Sequence, residues 1–190
     1  MRILMLGNSL TAANDLPQMV SRMAAAEVVA HTRGGARLSE HLNPATRMGA
    51  MTLTALEQDR FDVVVCQEAS TNPLRFRESY LRSIRALDEL ARSHGAVCVI
   101  FATWALAEGA RPLKNLGMSP SEMRRRLAFV FEEAAEATGS VVADVGAAFW
   151  AAPERRRLLA ADGVHPSMEG TRLAAGVISK TLRSLAERLP

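Results

Sequence analysis

The chain has no hydrophobic run near the roughly 20 residues that a membrane-spanning helix needs. It also lacks both glycine-rich phosphate signatures, G-x-G-x-x-G and G-x-x-x-x-G-K-[ST]. The first absence removes a helical membrane span, and the second counts against nucleotide use. No secretory signal is legible: Arg2 is followed at once by Ile-Leu-Met-Leu-Gly, too short for a signal core, so a cytoplasmic chain is expected. Cysteine is scarce. Cys66 and Cys98 both lie in apolar, strand-like runs and read as buried free thiols of a reducing compartment. His31, His41 and His94 lack ligand-like spacing to cysteines or carboxylates, so neither a metal nor another cofactor is expected. Internal repeats and low-complexity linkers are absent too, and 190 residues fit one domain spanning 1–190.

What is present is the composition of an ordinary globular protein, 48% hydrophobic and 23% charged. The net charge is +3 and the isoelectric point about 9.4. The cations are nearly all arginine, and the short clusters at 124–126 and 155–157 have acidic neighbours in Glu122, Glu132, Glu133 and Glu154. That pattern reads as solvated helix faces rather than a phosphate-tracking groove, so no nucleic-acid partner is expected.

The apolar pattern alternates between strand and helix. Residues 3–6 form a continuous apolar run closed by Gly7, as in a strand buried on both faces. Asn14 or Asp15 can cap a helix with Pro17 in its first turn and Met19, Val20, Met23 and Ala24 on one side. A weak strand over 28–30 runs into His31-Thr-Arg-Gly34-Gly35. Asn43-Pro44 reads as the start of a helix carrying Met48, Met51, Ala55 and Leu56. Residues 61–66 are the clearest strand, and Asn72-Pro73 opens a helix with Leu81, Ile84, Leu87 and Ala91 on one face. A strand over 96–102 is followed by a stretch, 104–117, without a clear period. Ser119 and Glu122 have capping-box spacing ahead of a helix with Met123, Leu127, Val130, Phe131 and Ala134 inward. A fifth strand is expected over 141–145, a short helix over 155–160, and a last helix over 168–188, capped by Ser167 with Leu173, Val177, Ile178, Leu182 and Leu185 inward.

Five such alternations imply right-handed βαβ units, hence a three-layer α/β/α, flavodoxin-like five-stranded parallel sheet. Ligands bind such sheets beyond the carboxyl ends of the strands. The polar clusters fall there: Gly7–Thr11, Thr32–Gly35, Gln67–Asn72, the segment after Trp104, and Asp162–His165.

A serine hydroxyl is a weak nucleophile and needs a neighbouring base whose tautomer a third group fixes. Asp162 and His165, three residues apart in a glycine-containing turn, can supply orienter and base to Ser9, the three roles of a catalytic triad. The oxyanion needs donors. Candidates are the N–H groups of Ser9 and Gly35, and the side-chain amide of Gln67 or Asn72; Asn72 before a proline can equally be only a helix cap. Trp104 is either core or a wall of the substrate site.

These blocks resemble the SGNH, or GDSL-like, hydrolase superfamily. Gly7-Asn-Ser9-Leu is similar to its first block, normally Gly-Asp-Ser-Leu, with Asn8 in place of the aspartate. Gly34-Gly35 resembles its glycine block, and Asp162-Gly-Val-His165-Pro its final D-x-x-H block. The likeness spans residues 3–167. It departs after Cys66, where the family's Gly-x-Asn-Asp is missing. Gln67 is the first choice to replace that block's amide donor, because some carbohydrate-ester branches have a similar Gln-Glu pair, and Asn72 is the second.

The expected activity is therefore a serine esterase acting on small acyl esters, an O-acetylated sugar above all, with a small-molecule ester as its substrate partner. Two alternatives stand beside it. One is a lysophospholipase or thioesterase for longer acyl chains, for which the 104–117 segment offers Trp104, Leu106, Leu113 and Leu116. The other is a non-catalytic module that binds an anion at Gly7–Thr11.

Overall fold

Strand β1 (Arg2–Gly7) is buried from Ile3 to Gly7, and the rest of the sheet is laid down on either side of it. The computed structural model describes residues 1–188. The other strands are β2 (Glu27–Thr32), β3 (Val63–Cys66), β4 (Val97–Ala102) and β5 (Val141–Asp144). All pairings are parallel, in the order β2-β1-β3-β4-β5. This is the flavodoxin-like order, and its switch point lies between β1 and β3, where the chain connections leave in opposite directions.

Alternation of side chains along each strand divides the interior in two. Leu4, Leu6, Val64, Cys66 and Ile100 face one layer, Ile3, Met5, Val65, Val99 and Phe101 the other. Against the first pack α4 (Arg47–Gln58), α6 (Arg77–Ser93) and α8 (Pro120–Thr138), through Leu56, Ile84, Leu87, Leu127 and Phe131. Against the second pack α2 (Leu16–Ala24) and α10 (Met168–Ala186), through Leu16, Val20, Ala174, Ala175, Ile178 and Leu182. Cys66 and Cys98 are free and buried side by side, their sulfurs 3.7 Å apart; this contact and burial push the Cys66 thiol well above its ordinary pKa. Among the described residues no helix is long and apolar enough to cross a membrane.

Several boundaries differ from the sequence pattern, each for a local reason. The chain from 43 to 46 is a turn, and α4 begins at Arg47, capped by the Thr46 hydroxyl accepting from the Gly49 N–H. Its inward face is Met48, Thr52 and Leu56, which leaves Met51 exposed, as Met23 is on α2. Asn72-Pro73 opens only the single turn α5 (Asn72–Arg75), and the chain breaks at Phe76 before α6. A further helix, α7 (Arg111–Leu116), lies inside the aperiodic stretch. The apolar run after 140 is split between β5 and a helix, α9 (Val145–Ala151), because Asp144 caps it by accepting from the Ala147 N–H. Residues Arg155–Leu158 form a 3-10 turn, and on α10 Leu173 and Val177 are only half-buried while alanines fill the inner face.

Candidate active site

Ser9 stands at the carboxyl end of β1 because the chain turns sharply there. A Cβ on Gly7 would come within 2.3 Å of Thr11 Oγ1 and 2.7 Å of Gln67 Oε1, so only glycine lets those side chains close over the strand end. Asn8 follows in extended conformation, and its Oδ1 accepts from the Leu10 N–H, which starts the one-turn helix α1 (Ser9–Ala12). Ser9 is the first residue of that turn and half-buried.

The Asp162–His165 turn meets it from the other end of the chain. Gly163 has φ +70°, and a Cβ there would meet the Ala107 Cβ at 2.8 Å, so the tight approach also requires glycine. Asp162 Oδ1 accepts from the backbone N–H groups of Val164 (2.9 Å) and His165 (3.0 Å), while Oδ2 accepts from His165 Nδ1 at 2.6 Å. A carboxylate accepts only, so the Nδ1 proton is on the histidine and Nε2 is left as an acceptor. Nε2 lies 2.9 Å from Ser9 Oγ. Partial desolvation pushes the Asp162 carboxyl up, but the His165 ring and the two N–H groups outweigh it and hold it below its ordinary value.

Two braces hold this meeting point, and neither follows from a motif. Asn14, at φ +51°, donates its side-chain amide to the Pro166 carbonyl (3.1 Å) and the Thr171 hydroxyl (2.9 Å), tying the Ser9 segment to the end of the turn. The sequence offered it only as a helix cap. Trp104 donates its indole N–H to the Val164 carbonyl (3.0 Å) and stacks on Phe149 with ring centroids 4.3 Å apart. It is 1% exposed. Trp104 is therefore a buried support of the turn, its only polar atom being spent on the backbone behind His165. With Phe149, Trp150, Arg155 and Leu159 it borders a cavity of about 200 Å³ toward the β5 edge of the sheet.

The remaining candidates divide. Gly35 sits in an exposed turn at φ +69°, which the Ala36 N–H closes onto the Arg33 carbonyl. That turn is fastened to the Ser9 segment by Asn8, whose Nδ2 donates to the Ala36 carbonyl at 3.0 Å. Gln67 is turned away from the rim. It is 1% exposed, its Oε1 accepts from the Asn8 N–H (3.0 Å) and the Thr11 hydroxyl (2.9 Å), and its amide nitrogen donates to the Glu68 carbonyl. This geometry disfavours Gln67 as the amide donor: backbone partners fix which end of its amide points where, and one of its N–H groups is spent on the Glu68 carbonyl. Asn72 is buried but donates one N–H to Glu68 Oε1 at 3.2 Å, leaving its second for another acceptor. Glu68 also accepts from the Ala69 and Leu38 N–H groups, and burial raises its pKa.

A hydroxyl, an imidazole and a carboxylate in hydrogen-bonded series, at the carboxyl rim of a flavodoxin-like sheet, can deprotonate the hydroxyl for attack on an acyl carbon. The arrangement and the fold together point to the class of acyl hydrolases. The comparisons carry this to a family. Residues 5–173 match the model of the GDSL-like lipase/acylhydrolase family, and the chain belongs to that family, within the SGNH hydrolases. A protein of Slackia heliotrinireducens assigned to the SGNH hydrolases has a similar structure, with TM-score 0.92, 50% identity, and 96% of this chain and 98% of that chain covered. A lipase/acylhydrolase of Enterococcus faecalis shares the fold at TM-score 0.71 and 21% identity, covering 97% of each chain. A DUF4886 family protein of Bacteroides uniformis does so at TM-score 0.73 and 20% identity, covering 97% of this chain and 83% of that one. Among curated proteins none matches the sequence.

Proposed function

We propose that the protein is a carboxylic ester hydrolase for small acyl groups, with an O-acetyl group on a carbohydrate as substrate. The reading rests above all on the Ser9–His165–Asp162 series, whose two hydrogen bonds measure 2.9 and 2.6 Å. Ser9 Oγ attacks the ester carbonyl while His165 Nε2 takes its proton, and Asp162 holds the imidazolium that forms. The tetrahedral intermediate collapses as His165 returns the proton to the leaving alcohol. Water, deprotonated by the same nitrogen, then releases the acid from Ser9. The oxyanion is held by the N–H groups of Ser9 and Gly35 and by the free N–H of Asn72, which Glu68 aims, while Gln67 supports the Ser9 turn.

A short acyl group is supported by the burial of the residues that would line a long channel. Trp104, Leu106 and Leu113 are each at most 2% exposed. A second reading, hydrolysis of longer acyl chains, draws on an open groove of about 690 Å³ beside Asn72, lined by Pro73, Leu74, Leu116, Met118, Phe129 and Val130. Assays with p-nitrophenyl acetate and octanoate separate the two, and the acetate is expected to give the higher kcat/KM. Ser9→Ala is expected to lower acetate turnover by at least about 10³-fold. An inert wild type sinks the hydrolase reading and leaves a non-catalytic anion-binding module, whereas full activity in Ser9→Ala removes Ser9 as the nucleophile.

A further inference from the structure

On the side of Ser9 away from the His165 turn stands a polar feature that the reaction does not use. Arg37 and Arg75 each place a guanidinium over the ring of Phe76, at 5.0 and 5.4 Å from its centroid. All three side chains are exposed, Phe76 by 41%. Arg37 comes from the loop after β2, just before the one-turn helix α3 (Leu38–His41), and Phe76 from the loop after β3. Because β1 lies between β2 and β3, a contact joining those two loops spans the end of β1, where Ser9 sits. The local bonds agree with this placement: Ala36, next to Arg37, accepts from Asn8, and Leu38, on its other side, donates to Glu68, which holds Asn72.

The pair has no carboxylate of its own: the buried Glu68 feels the charge of Arg37 but makes no ion pair with it. The neighbouring acids are committed elsewhere, Glu40 to Arg33, Glu133 to Arg77, and the buried Glu68 to Leu38, Ala69 and Asn72. Among the described residues neither Arg37 nor Arg75 forms an ion pair. A phenyl face orients a guanidinium without using any of its N–H donors, so both forks remain available to a ligand. Two such forks beside a small nucleophilic site favour an anionic group.

We propose that Arg37, Phe76 and Arg75 form an anion-recognition wall, and that the ester cleaved at Ser9 carries a carboxylate, phosphate or sulfate on its alcohol half. The substrate class rests on the hydrolase reading above. An acetyl group has no ionisable atom, so the charge has to lie on the alcohol.

The test compares three acetyl esters that differ only in the para group: 4-acetoxybenzoate, 4-acetoxybenzenesulfonate and the neutral 4-acetoxybenzamide. The expected kcat/KM for either anion exceeds that for the amide by about tenfold at low salt. That ratio falls toward one in 1 M salt, where charges are screened beyond about 3 Å. It also falls toward one in Arg37→Gln and Arg75→Gln, whereas Arg82→Gln, a surface cation paired with Glu78 on α6, keeps it. A preference for the benzoate alone assigns the wall to carboxylates, and one shared by the sulfonate to anions in general. Binding of 4-acetoxybenzoate to the Ser9→Ala protein, followed by calorimetry, tests the wall without turnover. Binding that Arg37→Gln abolishes upholds the wall even if the hydrolase reading fails. Equal rates for all three esters, or a preference that survives the double Arg37→Gln/Arg75→Gln substitution, overturns the proposal.

Discussion

The amide of Asn14 reaches the carbonyl of Pro166, 3.1 Å away and 152 residues later in the chain, and so fastens the serine segment to the end of the Asp162–His165 turn. The residue takes a left-handed conformation to do it, which asparagine tolerates better than most side chains. Asn14→Gly keeps the backbone comfortable and removes only the two hydrogen bonds, at an expected cost of about 1–3 kcal/mol. In the assay kcat is expected to fall with little change in KM, because Ser9 and His165 lose a fixed separation. Asn14→Ala adds backbone strain and should be the less stable of the two in urea denaturation. Equal kcat in wild type and Asn14→Gly would show that the brace is idle.

Asn8 stands where the family usually has aspartate, and its partners explain the difference. It must accept from the Leu10 N–H and also donate to the Ala36 carbonyl, at 2% exposure. Aspartate can do the first and not the second. Asn8→Asp therefore leaves a buried carbonyl facing a carboxylate, and the expected loss of stability is about 1–3 kcal/mol. The midpoint of urea denaturation reads it directly, and an unchanged midpoint contradicts the assignment.

Trp104 makes a polar contact that phenylalanine cannot. Trp104→Phe keeps the aromatic layer against Phe149 but frees the Val164 carbonyl, with an expected loss of about 1 kcal/mol and a kcat decrease that exceeds any change in KM. A rise in KM alone would restore the substrate-wall reading.

His31 and His41 are buried behind the Gly35 loop, both with Nδ1 toward the Thr52 hydroxyl, at 3.3 and 3.0 Å. One hydroxyl cannot donate to two rings, so one imidazole accepts from Thr52 and must be neutral while the other donates to it. Burial pulls His41 down to about 4 and lowers His31 as well. A histidine with a depressed folded pKa favours folding fully above its unfolded value of about 6.5 and loses that contribution as pH falls toward the folded value. His41 alone should remove about 3 kcal/mol of stability between pH 6.5 and 4. Unfolding midpoints measured across this range should drop in wild type and flatten in His41→Gln. A midpoint that rises toward pH 4 would reverse the sign.

The sheet was legible in the sequence because buried parallel strands are continuous apolar runs, and Ile3–Leu6 or Val63–Cys66 can hardly be anything else. Long helices were legible for the same reason: Ile84, Leu87, Leu127 and Phe131 keep a helical period and do face the core. What escaped was short or depended on direction. Helix α9 and β5 lie in one apolar stretch interrupted only by Asp144, whose cap separates them. Beyond the end of β3 the two-residue alternation stops, and nothing in the sequence fixes that Gln67 turns beneath the Ser9 loop while Glu68 turns toward Asn72. Trp104 and Asn14 act through one or two hydrogen bonds to distant groups, a kind of contact without a sequence pattern.

The central claim is that Ser9 is the nucleophile, activated by His165 and Asp162. Incubation with a fluorophosphonate, followed by peptide mass spectrometry, tests it without knowledge of the natural ester. The account predicts one phosphonylated residue, Ser9, with labelling slowed by about 10³-fold or more in His165→Ala. An unlabelled Ser9 in folded protein, or labelling that proceeds at the same rate without His165, would contradict it.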